Sequence, residues 1–355
     1  MPLRSTSSGT SIDVAGPLTG LAVVLEQPEQ LTVRSLELVA PGADDLVVDV
    51  EWSGISTGTE KLLWSGRMPP FPGLSYPLVP GYETVGRVAA AAGGSQRQVG
   101  ERVFVPGSRC FGPVAGLFGG AAQRLVVPAA KTMPLAASIG EDGVLLALAA
   151  TAWHVTAAPG SLQPDLVIGH GVLGRLLARI AIAAGAPPPV VWESNPGRHD
   201  GAAGYSVIHP DEDTRRDYRC VVDASGDPQV IDRLVPRMLR GGELVLAGFY
   251  TERLSFAFPA AFQRELRLRI AAEFLPQDLA AVHACIAEGR LSLAGLITHR
   301  CDARDAPAAY RTPRSLLKYL KKSLSGESTI GLPSLIAASY ARMVRKKDAN
   351  SGSLP

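Results

Sequence analysis

The stretch Leu166-Val167-Ile168-Gly169-His170-Gly171-Val172-Leu173-Gly174 decides how the rest of the chain is read. Three apolar residues of strand composition run into a GxGxxG pattern, and that pattern opens a helical periodicity lasting to Gly185. In this setting each glycine has a physical task. Gly169 allows a tight turn, Gly171 lets the backbone approach a pyrophosphate, and Gly174 lets helix and strand pack closely. The phosphates of a dinucleotide would sit at the helix N-terminus formed by Val172, Leu173 and Gly174. Glu193 stands 19 residues beyond Gly174, at the end of the strand VVWES. A carboxylate there accepts hydrogen bonds from the adenosine ribose and repels a 2′-phosphate, which favours NAD over NADP. Arg198, five residues later, reaches the same end of the cofactor and could pair with a 2′-phosphate. His170, inside the loop, reads as a support for the backbone close to the phosphates.

Working outward, the chain changes period near residue 142. Before it, AVVLEQP, LTVRSLEL, DLVVDVEWSG, TVGRVAAA, ERVFVPG and RLVVPAA form a cadence of short strands joined by Gly and Pro. After it, an apolar helix around residues 144–158 is followed by alternating strands and helices: DLVIG, GVLGRLLARIAIAAGA, VVWES, CVVDASG and ELVLAGF. That alternation predicts an α/β fold with a doubly wound parallel sheet beside a mostly β domain. Beyond Phe274, DLAAVHACIAEG predicts a helix ended by Gly289, and LSLAGLITHR returns to strand composition and rejoins the first domain.

At 355 residues the chain is long enough for about two domains. Lys plus Arg number 35 and Asp plus Glu 33, so there is no strong field to hold a polyphosphate backbone, and nucleic acid is excluded as the expected partner. With 46% apolar and 19% charged residues, the composition is that of a packed enzyme. Cys110, Cys220, Cys285 and Cys301 form no CxxC pair, and free thiols in a reducing compartment are expected. No apolar run reaches the roughly 20 residues of a membrane span, and the Ser/Thr/Gly-rich leader lacks the apolar segment of a secretory signal. The expected location is the cytoplasm.

In order along the chain come Ser53-Gly54-Ile55-Ser56-Thr57-Gly58-Thr59-Glu60, Pro80-Gly81-Tyr82-Glu83, Gly100-Glu101-Arg102-Val103, Ala150-Thr151-Ala152-Trp153, the glycine loop, Val222-Asp223-Ala224-Ser225-Gly226 and Gly241-Gly242-Glu243. With these landmarks the chain resembles the medium-chain dehydrogenase/reductase superfamily. The resemblance implies a GroES-like catalytic domain over 21–145, a Rossmann domain over 146–275 and a return to the catalytic domain over 276–322; composition makes 1–20 a disordered leader, and 323–355 is a tail atypical of the family. It also implies that Thr151 faces the nicotinamide, that Ser225 and Ala247-Gly248-Phe249 line the cofactor, and that the protein is a homo-oligomer.

Zinc members of that superfamily carry Cys after the Gly-Ile step, a Gly-His-Glu motif and a third ligand near the helix before the cofactor domain. This chain has Ser56-Thr57, Tyr82 and Ala149-Ala150 there. Hydroxyl and methyl groups do not replace thiolate and imidazole around a tetrahedral zinc, so no metal is expected. A site rebuilt from Glu83, His154 and Cys110 has no metal-ligand spacing. Without a metal to acidify a substrate hydroxyl, side chains must take its proton as hydride leaves. Thr57 and Tyr82 are the candidates for that relay, with Glu83 polarising Tyr82.

The runs GISTGTEKLLWSGRMPPFPG, YPLVPGYETVGRV, VFVPGSRCFGPVAGLFGGAAQRLVVP, VIGHGVLGRLLAR and LAGFYTERLSFAFPAAF narrow the resemblance to the bacteriochlorophyllide a dehydrogenase family. It implies NAD-dependent oxidation of a 3-(1-hydroxyethyl) side chain to 3-acetyl in bacteriochlorophyll a biosynthesis. A tetrapyrrole is a large apolar disc, and Trp64, Met68, Phe71, Tyr76, Phe111 and Phe118 in Gly/Pro-rich loops are candidates to line its cleft. Arg109 and Arg124 are candidates for its propionate. Two other readings stand beside this one: a zinc-free NADPH-dependent quinone or enone reductase, and a non-catalytic NAD-binding scaffold anchored through its basic tail. After Tyr310-Arg311-Thr312 the pattern departs from the family, and the expected closing strand is not evident. The tail reads as an extension for a membrane surface or pathway partner, or as an artefact of the reading frame.

Overall fold

The computed structural model describes residues 17–157, 159–311 and 318–321. The leader before residue 17 and the tail after 321 lie outside them. The first half carries β1 (Thr19–Gln27), β2 (Gln30–Glu37), β3 (Asp45–Ile55), β4 (Leu78–Val79), β5 (Thr84–Ala91), β6 (Arg102–Val105), β7 (Ala115–Gly116), β8 (Arg124–Pro128) and β9 (Met133–Pro134), with a short helix α1 (Thr59–Trp64) after β3. The second half opens with α2 (Leu146–Thr156), followed by β10 (Leu166–Ile168), α3 (Val172–Ala183), β11 (Val190–Trp192), β12 (Ser206–Ile208), β13 (Tyr218–Asp223), α4 (Val230–Leu234), β14 (Met238–Leu246), α5 (Phe258–Gln263), β15 (Arg267–Ile270) and α6 (Pro276–Ala287). Then come β16 (His299–Asp302), α7 (Ala306–Arg311) and β17 (Lys318–Lys321).

The second half is a six-stranded sheet in the order β12-β11-β10-β13-β14-β15, with every adjacent pair parallel. Its strands are buried on both faces. Val167, Val222 and Val245 point into one core with α2, α3 and α6, while Ile168, Val221 and Leu246 point into another with α4 and α5. Continuous apolar runs such as Leu166-Val167-Ile168 are what a sheet covered on both faces requires. The order reverses between β10 and β13, which opens a crevice at their C-terminal ends.

The first half folds into two sheets, β2-β1-β4-β7 and β16-β17-β3-β5-β6-β9, with β8 also paired to β3. The closing strand that the sequence did not reveal is present: β17 lies between β16 and β3, pairing antiparallel with Trp52–Ile55. The helix expected over DLAAVHACIAEG is α6, ended by Gly289 at φ +71°. It packs in the core of α2 and α3, and the chain then pairs with the β half through β16 and β17. Val85 and Phe104 of the β half lie in that same core, which therefore runs unbroken from one half to the other. No helix among the described residues is long and apolar enough to cross a membrane.

Leu177 on α3 is fully buried in the shared core. Leu177→Ala should lower unfolding free energy by about 2–5 kcal/mol, measured by urea denaturation, because deletion of a buried side chain combines lost transfer energy with a residual cavity.

Candidate active site

The nucleotide crevice is built from backbone. Gly169 holds φ +93° and donates its N–H to the Trp192 carbonyl at 2.8 Å, turning the chain sharply at the end of β10. A Cβ at Gly169 would come within 3.5 Å of Ser225, so the loops after β10 and β13 abut. A side chain at Gly174 would run into the Gly169 carbonyl, whereas the space beside Gly171 is open. The first intrahelical bond of α3 runs from the Arg175 N–H to the Gly171 carbonyl at 2.9 Å. The N–H groups of Val172, Leu173 and Gly174 therefore precede the helix ladder and face its open end.

Asp223, fully buried at the end of β13, knits the neighbouring loops together. Its carbonyl accepts the N–H groups of Ala247 and Gly248, both at 2.9 Å. Its carboxyl accepts from the Ser225 N–H at 2.9 Å, the Ser225 hydroxyl at 2.6 Å and the Tyr250 hydroxyl. Burial raises this carboxyl above its ordinary range. Gly248 is needed because a Cβ there would approach the Gly226 nitrogen to 2.7 Å, and Phe249 projects half-exposed beyond it.

At the other end of the crevice, Glu193 accepts the His170 N–H at 3.0 Å and the Asn195 N–H at 2.8 Å, with the Arg198 guanidinium 4.0 Å away. His170 is buried. Its Nδ1 lies 2.6 Å from the Arg198 carbonyl, which can only accept, so Nδ1 carries the proton and Nε2 accepts from the Tyr205 hydroxyl at 2.9 Å. Burial lowers the His170 pKa and keeps the ring neutral. The histidine thus clamps the 198 loop against the glycine turn.

The candidate reacting end is the side-chain cluster where α1, the residues before β5 and α7 converge. Tyr82 is half-buried on the rim of the shared core, as are Val172, Leu173, Ala224 and Ala247 from the crevice loops. Its ring meets Phe118 edge-on at 5.3 Å, and Phe118 meets Phe71 at 6.4 Å, giving a continuous aromatic wall. Ser56 and Thr59 side chains face the Tyr82 hydroxyl. Behind it sit two carboxyls. Glu60, 1% exposed, accepts the Ser56 N–H at 3.1 Å and the Ser56 hydroxyl on Oε2, while its Oε1 has no partner. Glu83, equally buried, has no hydrogen-bond partner among the described residues on either oxygen, and neither have the Ser53 and Tyr310 hydroxyls.

Burial pushes the Glu60 carboxyl up to about 7, and burial followed by the nearby charge of Glu60 pushes Glu83 well above the usual range. Tyr82 and Tyr310 are raised as well, by burial first and then by these carboxyls. Gly54 makes room for the pair: its N–H donates to the Glu83 carbonyl at 2.7 Å, and a Cβ on it would lie 2.6 Å from the Glu83 Cβ.

Other expected site residues are dispersed. Trp64 is 8% exposed and packs on Tyr310 at 6.2 Å, and Phe111 is fully buried; both are core residues, because their rings are covered on all sides by the β half. Arg124 is held by Asp49 at 2.7 Å, whereas Arg109 is exposed beside Gly73. Tyr76 is half-buried and spends its hydroxyl on the Leu63 carbonyl. Thr57 is half-buried one residue beyond Ser56, and Thr151 on α2 donates to its own helix at the Ala147 carbonyl, 3.0 Å away. Glu83, His154 and Cys110 do not meet: His154 pairs with Asp278 at 2.8 Å, and Cys110 lies in the β core. Among the described residues no three His, Cys, Asp or Glu side chains converge on one point.

Sequence reasoning missed Glu60, Asp223, Tyr205 and Tyr250. Glu60 follows Ser56 at the i,i+4 spacing of one helical turn, and Asp223 ends an otherwise apolar strand; both were visible signals.

An open glycine cradle, free helix N–H groups and a carboxylate at the far strand end fit a dinucleotide. Joined to a GroES-like β half, they define a medium-chain dehydrogenase. Residues 42–137 match the alcohol dehydrogenase GroES-like domain family. The chain is 56% identical to the 2-desacetyl-2-hydroxyethyl bacteriochlorophyllide A dehydrogenase of Rhodobacter capsulatus, over 82% of this chain and 93% of that one. It is 53% identical to the protein of the same name from Cereibacter sphaeroides, over 87% and 98%. The chain belongs to this bacteriochlorophyllide dehydrogenase family. An alcohol dehydrogenase of Escherichia coli complexed with NADH shares the fold, with a TM-score of 0.73 at 21% identity over 85% of this chain and 99% of that one.

Two outcomes follow from the buried pair. Gly54→Ala should destabilise the protein by about 1–3 kcal/mol in chemical denaturation, because the added methyl displaces Glu83 in a packed interior. A carboxyl whose folded pKa is raised binds more protons in the native than in the unfolded state, so stability falls as pH rises between about 4.5 and 7. Glu60→Gln removes that slope, and its stability relative to the parent should rise by about 1–3 kcal/mol from pH 4.5 to pH 8.

Proposed function

We propose that the chain oxidises the 3-(1-hydroxyethyl) group of a bacteriochlorophyllide to 3-acetyl, with NAD as hydride acceptor and with side chains rather than zinc handling the proton. The observation that carries this reading is the 56% and 53% identity to two dehydrogenases named for that substrate, over nearly their whole length. When bound, NAD would supply the electrophilic nicotinamide carbon that takes the hydride.

The chain's own residues would do the rest. Gly169, Gly171, Val172, Leu173 and Gly174 would receive the pyrophosphate on backbone N–H groups, and Glu193 would accept ribose hydroxyls on its remaining lone pairs. Arg198, 4.0 Å from Glu193, is the cation that would pair with a 2′-phosphate, so the preference for NAD rests on the Glu193 carboxylate alone. Thr151, Ser225, Ala247, Gly248 and Phe249 would border the nicotinamide end. Phe71, Phe118 and Tyr76 would face the macrocycle, with Arg109 reaching a propionate. The hydroxyl of Tyr82 or Thr57 would take the carbinol proton as the C–H bond breaks.

The purified, chelator-treated protein should form NADH only when a 3-hydroxyethyl bacteriochlorophyllide is added; absence of turnover by a folded protein that binds NAD would refute the reading. Tyr82→Phe should lower kcat by about 10²–10⁴-fold, the usual worth of a positioned proton-transfer group. Glu193→Gln should reduce the preference for NAD over NADP by about tenfold, equivalent to about 1.4 kcal/mol, in paired kcat/KM measurements.

A further inference from the structure

Two hydroxyls, those of Ser56 and Tyr82, lie between the carboxyl of Glu60 and the aromatic wall of the cleft. Its Oε2 receives the Ser56 hydroxyl, and the Ser56 side chain lies near the hydroxyl of Tyr82. Tyr82 stands half-buried at the rim shared with the nucleotide loops, whereas Glu60 is sealed from solvent. No Lys, Arg or His among the described residues forms an ion pair or hydrogen bond with Glu60 or Glu83. The groups facing Glu60 are Ser56 from the end of β3, Tyr82 and Glu83 from the segment before β5, and Tyr310 from α7, with Cys301 of β16 beyond Tyr310. A buried carboxylate with no cation has a strong affinity for a proton, and it is connected to the cleft through groups that both donate and accept.

We propose that Glu60, acting through Ser56 and Tyr82, takes up the proton that leaves the substrate hydroxyl. The inference rests on the dehydrogenase reading above. As the carbinol C–H bond breaks, its electron pair leaves as hydride to the nicotinamide and the C=O bond forms. The carbinol proton passes to the Tyr82 oxygen, the Tyr82 proton to Ser56 Oγ, and the Ser56 proton to Glu60 Oε2. Glu83 sits beside this acceptor, and its like charge opposes simultaneous ionisation of the pair, so one proton is held between them. Glu60 is therefore a relay residue and never touches the substrate. Its ionised form is the competent one for oxidation, and the reaction should accelerate as pH rises through the neutral range.

The test uses the full-length protein with NAD and a 3-hydroxyethyl bacteriochlorophyllide, following kcat from pH 5.5 to 9. Wild-type kcat should rise about tenfold per pH unit on the acid side and level off near neutrality. Glu60→Gln retains the acceptor oxygen for Ser56, so it should still bind NAD with unchanged affinity. Its kcat at pH 8 should fall about 10²–10⁴-fold and lose the ascending limb. In difference infrared spectra of the protein without cofactor, a protonated carboxyl band titrating near neutrality should be present in the wild type and absent in Glu60→Gln. Ser56→Ala breaks the chain but leaves the acid, so it should keep the infrared band and lose kcat; it decides the matter if Glu60→Gln does not fold.

Retention of both kcat and the acid limb in either variant, beside an active wild type, overturns the relay and leaves the dehydrogenase reading standing. A wild type that does not oxidise the macrocycle overturns both.

Discussion

Everything in this molecule depends on one apolar core that belongs to neither half alone. Val85 and Phe104 from the β half interlock with Leu145, Leu146 and Ala149 at the start of α2, and the same core continues through Leu176 and Ile180 to Val167 and Val222 of the parallel sheet. Tyr82 hangs on one margin of it, and Val172, Leu173, Ala224 and Ala247 hang on another. Hydride transfer requires carbinol and nicotinamide carbons within van der Waals reach, and a close-packed interior resists the small displacements that would separate them. Alanine at several positions of α2 lets the helix approach both neighbours closely, so its apolar, nearly uncharged sequence has a geometric rationale.

Against that apolar background, Glu60 and Glu83 are an expense that packing does not require. Two carboxyls without a cation are costly to bury, and the fold tolerates them because protons remain on them at a pH where surface carboxyls have ionised. Ser56 and Tyr82, both able to donate and accept, stand in front of an acid.

Much of the architecture was readable because it rests on local pattern. The GxGxxG after a strand, the carboxylate at Glu193 and the shift from alternating strands to βα units correspond to a switch point between β10 and β13. What escaped reading was set by tertiary contact. Trp64 and Phe111 have the same loop context as Phe71 and Phe118, and only the fold separates core rings from wall rings. Arg124 resembles any surface arginine until Asp49, 75 positions away, is placed 2.7 Å from it. The short strands β12 and β15 lacked distinctive composition, and β17 was obscured because Lys318-Tyr319-Leu320-Lys321 sits in a basic stretch with helix-like spacing.

The position of β17 has a bearing on how the chain matures. It pairs with Trp52–Ile55, directly ahead of Ser56 and of α1, which carries Glu60, and it occupies an interior place in the sheet. The first half of the chain therefore leaves the ribosome with an unfilled slot that only residues 318–321 can close. The parallel sheet, whose strands are contiguous from 166 to 270, can assemble beforehand. Long-range pairing of this kind is slow and leaves a strand edge exposed while it waits. Synthesis thus delays completion of the β half until the nucleotide-binding half has emerged, and Ser56 and Glu60 are backed by their last strand only after the strands that form the crevice have left the ribosome.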